Sequence, residues 1–185
     1  MKRFAQLGLA AVLALGPFTG SAFAQQAQAN APTVQAQAKD VESIDGIVAA
    51  LYDVISGPAG KERDWNRMRS LFAADGTLRA VVPKDGAFVI RTMSVDDYIT
   101  RNSPHFASNG FFESEVARTT EVFGQVAQVF STYQSKHASS DAQPFARGIN
   151  SIQLYNDGKR WHIVSVLWRG EDANLKLPER YLKKQ

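Results

Sequence analysis

Between residues 43 and 72 the apolar positions recur with helical spacing, and from residue 110 onward they alternate. Ile44, Ile47, Val48, Leu51 and Ile55 follow Ser43 at i, i+3, i+4, i+7 and i+11 spacing. A hydroxyl suited to an N-cap followed by one apolar stripe predicts a helix. "SGPAGKE" interrupts it, and a second helix starts near Asp64, with Trp65, Met68, Leu71 and Phe72 on one face, and stops at "AADG". A short strand over 77–82 and a turn at "KDG" lead into a strand over 87–93. Ser94 caps a third helix, with Asp96 and Asp97 at the favourable end of its dipole, and Pro104 is expected to break it.

Residues 111–123, 125–137, 144–156 and 160–170 then read as four long strands, joined by Gly124, by "ASSDAQ" and by an Asn-Asp-Gly hairpin turn. Helices followed by an antiparallel meander predict an α+β domain with the helices on one face of a bent sheet. The last strand is apolar on both sides: Trp161, Ile163, Ser165 and Leu167 alternate with His162, Val164, Val166 and Trp168. A strand covered on one side alternates apolar with polar, so the second face needs its own cover. Residues 171–185 carry Leu175, Leu177, Tyr181 and Leu182, enough to fold back on the domain. The pattern is read as a returning tail together with a homodimer through Val164, Val166 and Trp168.

The chain's beginning changes the picture of where it works. "MKR", an apolar run and Ala22-Phe23-Ala24 form a secretory signal over 1–24, cleaved after Ala24. Pro17 and Gly20 interrupt the run, which is too short for a membrane anchor. Residues 25–39 are low-complexity and read as a flexible leader, so the domain is expected over 40–170 in a periplasmic or secreted protein. Removing Lys2 and Arg3 from 21 basic residues leaves 19 against 18 acidic ones, so the basic isoelectric point is no footprint for nucleic acid. The absence of cysteine excludes disulfides, thiol catalysis and zinc–thiolate sites.

"WNRMRSLFAADGTL", "GQVAQVFSTYQ" and "INSIQLYNDGKRWHIVS" resemble the nuclear transport factor 2-like superfamily, which includes SnoaL-like and steroid-isomerase-like proteins. "GPAGKERDW", "PFARGINSIQL" and "LPERYL" resemble an exported bacterial branch of it. The resemblance spans about 40–169 and implies three N-terminal helices packed on a strongly curved antiparallel sheet, forming a cone with an internal pocket. Members use that pocket for isomerisation, dehydration, cyclisation or binding, so fold does not fix function. The isomerase base would fall near Ala80, where this strand has no acid; Tyr52 falls near the isomerases' tyrosine donor.

Pocket chemistry must come from polar side chains on apolar faces, because burying them unpaired is costly. Asn150 shares a face with Ile152 and Leu154; it either orients a ligand or satisfies strand-end backbone groups. Arg147 either clamps a carboxylate or pairs with Glu113 or Glu115. Glu113 and Glu115 share a face, as a solvated pair or, with Glu113 held neutral in a pocket, as an acid/base. His105, His137 and His162 have no ligand spacing, and no metal or cofactor is expected. The preferred reading is a binding protein for a small apolar or weakly anionic ligand, lined by Tyr52, Trp65, Tyr98, Phe112, Arg147 and Asn150. The alternatives are a SnoaL- or isomerase-type enzyme using Glu113 as acid/base and Tyr52 as donor, and an interaction module using the sheet face.

Overall fold

The computed structural model describes residues 34–183, so the signal segment over 1–24 and most of the leader lie outside the described residues. Ala38–Val41 (α1) forms a single turn where the leader was expected to end. The turn is held by a pair that local spacing does not reveal: Asp40, 3% exposed, takes both Nε and Nη2 of Arg67 at 2.7 and 3.0 Å. Ile44–Ile55 (α2) follows, with the Ser43 hydroxyl accepting from Gly46 N–H at 3.0 Å. Its predicted stripe is buried at Ile47, Val48, Leu51 and Ile55. Asp64 caps Trp65–Leu71 (α3) by accepting from Arg67 N–H.

Phe72–Lys84 (β1) starts directly where α3 stops, so "AADG" lies within an irregular strand and does not form a separating turn. Asp85 and Gly86, both at positive φ, turn it into Ala87–Ser94 (β2). Val95–Ser108 (α4) begins with a capping box between Ser94 and Asp97 and runs through Pro104, contrary to the expected break. Pro104 and Thr100, whose carbonyl loses its partner, are both on the solvent side of α4. Water can take over that carbonyl, and the helix survives. Side chains also serve neighbouring carbonyls: Asn102 donates to Tyr98 O and Ser103 to Ile99 O.

Phe112–Phe123 (β3), Val126–Lys136 (β4), Ala146–Asn156 (β5) and Trp161–Gly170 (β6) form the expected antiparallel meander. The sheet is larger than the meander. Its order is β2-β1-β6-β5-β4-β3, with β1 parallel to β6, so the six-stranded sheet is mixed. Long-range pairing of β1 with β6 was not visible in any local pattern. The core lies between α2, α3, α4 and the inner face, on Met68, Leu71, Val129, Ile152, Leu154 and Ile163, each at most 1% exposed.

Two bulges bend this sheet. One leaves Val116 of β3 unpaired, and one leaves Val164 of β6 unpaired, because Gln153 faces Ser165 while Leu154 faces Ile163. An extra residue moves every later side chain to the other face. Trp161 and Ile163 therefore point inward before the bulge, and Val166 and Trp168 point inward after it. This corrects the outward placement of Val166 and Trp168: Val166 is 4% exposed and both belong to the interior. Val164 stays outside, 40% exposed. The C-terminal segment returns over the outer face, where Thr132 Oγ1 donates to Tyr181 O at 2.6 Å and the Phe130 and Tyr181 rings meet at 5.3 Å.

Candidate functional site

Between the helices and the inner face of the sheet lies a cavity of about 300 Å³. Leu51, Ile55, Met68, Leu78 and Val166 give it aliphatic walls, and Tyr98, Phe106, Phe111, Tyr133 and Trp168 give it aromatic ones. Its polar residues are Glu113, Ser135, Asn150, Asn102 and His105. No arginine or lysine lines it among the described residues. A chamber of this kind suits a small, mostly apolar molecule held at a few polar points.

Glu113 sits on β3 directly opposite Ser135 of β4, whose hydroxyl donates to Oε2 at 2.9 Å. The bland alternative, a solvated face, is thereby excluded. Desolvation pushes its carboxyl up from 4.5 to about 7, against the opposing pull of the Ser135 and Asn150 hydrogen bonds. Its backbone is fixed as well, because Ser56 Oγ accepts from Glu113 N–H at 2.9 Å. Burial and the nearby Glu113 charge both raise the Tyr98 hydroxyl. The same two causes lead for Tyr133, which is pushed up to about 12.

Behind Glu113 runs a second polar chain. Ser131 Oγ donates to Glu115 Oε1 at 2.6 Å, Tyr52 Oη lies 2.7 Å from Ser131 Oγ, and Asn150 Nδ2 donates to Tyr52 Oη at 3.1 Å. The direction follows from proton counting. Ser131 has one proton and gives it to Glu115, so Tyr52 must donate to Ser131 and accept from Asn150. Tyr52 is thus spent inside the network and does not line the cavity, which corrects its expected place as a ligand donor. Burial, the largest influence, raises its hydroxyl well above the ordinary tyrosine value. Tyr52 positions Asn150.

The other expected ligand residues divide. Tyr98 and Asn150 do line the cavity. Trp65 does not: it stacks on Phe106, centroids 6.0 Å apart, behind the wall. Phe112 faces away, toward an open groove of about 510 Å³ between α2 and β3 that Tyr52, Glu113, Glu115 and Arg118 also line. Arg147 is on β5, and its Nε reaches Glu171 at 2.8 Å, so neither the free clamp nor the pairing with Glu113 or Glu115 is formed. His105, Phe111, Phe145 and Trp168 were missed as lining residues. The bulge hid Trp168, and nothing local marks a loop residue such as Phe145 as facing a cavity. Gly148 explains one backbone choice: a Cβ there would stand 2.6 Å from Tyr133 Oη and 2.4 Å from Arg169 O. Among the described residues no group of three or more His, Asp or Glu is placed to hold a metal ion. None of their helices is long and apolar enough to cross a membrane.

No family model matches the chain, and no curated protein matches it. In structure it is similar to an NTF2-like protein of unknown function from Pseudomonas putida KT2440, with TM-score 0.53 and 10% identity, over 73% of this chain and 90% of that one. It is similar to a "putative dehydratase from the NTF2-like family" from Streptomyces avermitilis, with TM-score 0.52 and 15% identity, over 72% and 97%. A protein of unknown function with a cystatin-like fold from Nostoc punctiforme PCC 73102 gives TM-score 0.53 at 10% identity, over 70% and 90%.

Proposed function

On the nuclear transport factor 2-like fold that this chain adopts, we propose that the protein binds a small, largely apolar molecule in its internal cavity. The observation that carries this reading is the aromatic-walled chamber with Glu113 and Asn150 among its few polar groups. The segment over 1–24 supports a periplasmic or secreted setting. Phe88, Ile90 and Val164, exposed at 63, 57 and 40%, support a homodimer through the outer face. The thermal unfolding of the purified protein against a metabolite panel tests the cavity. A ligand that binds the native state raises Tm, by mass action, with the logarithm of its concentration over Kd. If no compound moves Tm and Trp168 emission is equally indifferent, the reading fails.

A second reading, acid/base catalysis on the bound molecule, is favoured by one observation: Glu113 is held where it exchanges its proton near neutral pH. The neighbour labelled a dehydratase points the same way. Tyr98 and Tyr133, not Tyr52, are then the tyrosines beside the reacting molecule. Under this reading Glu113→Gln abolishes turnover and leaves binding of the neutral substrate intact.

A further inference from the structure

The cavity's polar groups have an unbalanced chemistry. Glu113 places a carboxyl in it, and among the described residues no lysine or arginine answers that carboxyl from any wall. The forced direction of the hydrogen-bond chain adds a second acceptor. Asn150 must turn its Nδ2 toward Tyr52, which leaves Oδ1 on the other branch of the amide. Oδ1 takes no hydrogen bond from any described residue. It is also not among the buried polar atoms stranded without a partner, so it opens on the cavity that Asn150 lines. The Glu113 carboxylate has donors of its own, the Ser135 hydroxyl at Oε2 and the Asn150 amide, but neither brings a positive charge. The carboxyl shares this space with the rings of Tyr98, Tyr133, Phe106, Phe111 and Trp168.

We propose, building on the cavity-binding reading, that the ligand is an organic cation: an apolar or aromatic body bearing one protonated amine, with the ammonium seated against the Glu113 carboxylate. An ammonium brings hydrogen-bond donors together with the positive charge that no described lysine or arginine supplies to Glu113 in the cavity. Aromatic walls favour it further, since ring faces attract cations, most strongly where water is excluded. A neutral alcohol would satisfy Asn150 Oδ1 and leave Glu113 without a counter-charge. A carboxylate ligand would meet Glu113 with like charge. The chamber holds about ten water volumes, which limits the guest to roughly the size of a phenylalkylamine.

Binding of such a cation depends on the ionisation of Glu113. The groups around it are Tyr52 from α2, Tyr98 and His105 from α4, Glu115 from β3, Tyr133 and Ser135 from β4, and Asn150 from β5. The alkylamine keeps its proton throughout the neutral range. Affinity for the cation therefore falls as pH drops through about 7, where Glu113 takes up a proton.

The test is titration calorimetry on the full chain with three matched probes: phenethylammonium, 2-phenylethanol and 3-phenylpropanoate. At pH 8 the ammonium should bind at least about tenfold tighter than the alcohol, a gap of about 1.4 kcal/mol. Its affinity should fall severalfold by pH 6. In Glu113→Gln the ammonium and the alcohol should bind alike, with the alcohol unaffected by the substitution. If the alcohol or the carboxylate binds as tightly as the ammonium, or if the preference persists in Glu113→Gln, the cation assignment is overturned while the cavity reading stands. If no probe of any charge binds, both fall.

Discussion

Glu113→Gln isolates the energetic consequence of burying a carboxyl with no cationic partner. In the folded protein this group titrates near 7, and in the unfolded chain near 4.5. Below pH 4.5 both states hold the proton and the residue contributes no pH dependence. Between 4.5 and 7 the folded state keeps the proton and the unfolded state has lost it, so stability falls as pH rises. Each pH unit in that window is worth about 1.4 kcal/mol, and the full crossing therefore costs at most about 3 kcal/mol. Glutamine carries no such penalty. At pH 4 the two proteins should melt together, apart from the constant effect of exchanging the Ser135 hydrogen bond. By pH 8 Glu113→Gln should be the more stable by up to about 3 kcal/mol, or roughly 6–12 °C in Tm for a domain of this size. The assay is differential scanning calorimetry of both proteins at half-unit steps from pH 4 to 8, at fixed salt. Asp97, Asp157 and Asp172, lowered by their hydrogen bonds, change both curves alike and only on the acid side of this window. Two Tm–pH curves that stay parallel between pH 5 and 8 would refute the reasoning, because Glu113 would then titrate as it does in the unfolded chain.

Tyr52→Phe removes the link between Asn150 and Ser131. It should cost about 1–3 kcal/mol in urea unfolding and weaken ligand binding, although the phenyl ring still fills its place. Arg63, 5% exposed, fans its guanidinium onto the carbonyls of Ile55, Gly57, Pro58 and Lys61 at 2.5–3.1 Å. Arg63→Ala should cost at least about 3 kcal/mol, and Arg63→Lys should recover less than half of it, since an ammonium cannot span the fan. Val166→Asp should destabilise the monomer by about 3–5 kcal/mol by placing an unpaired charge in the interior. Val164→Asp should leave Tm of the monomer nearly unchanged and halve the mass seen by light scattering, if the outer face pairs two copies.

The elements were legible wherever one residue type does one local job. Ser43 and Ser94 cap the helices they were read to cap, Asp64 stands at the start of the helix expected there, and the even positions of β5 point inward at Gly148, Asn150, Ile152 and Leu154. Pairings between distant segments were not legible. The parallel union of β1 with β6 and the Asp40–Arg67 pair each join residues that no window of sequence holds together. The double-sided apolar pattern of β6 was real, yet its explanation differs from a second cover. A single unpaired residue, Val164, turns Val166 and Trp168 back toward the side already occupied by Trp161 and Ile163. A period-two reading has no means of registering an inserted residue, because the residue types on either side remain apolar.

The polar site shows the same limit from the other direction. Residue types on the strand faces singled out Glu113 and Asn150, but their meaning depends on partners at Ser135, Tyr52 and Ser131, each on another element. A core selected only for stability would place an amide or a methyl group where Glu113 stands, since a carboxyl there weakens the fold above pH 4.5. Local rules are broken where something other than stability is gained. Here the break is confined to one chamber, where a carboxyl has hydrogen-bond donors but no counter-charge and aromatic rings line the same space. A bound cation would supply the missing charge. That contact would then recover the stability that the ionised Glu113 forfeits, so the pH dependence predicted for Glu113 in the free protein should flatten when the cation is bound.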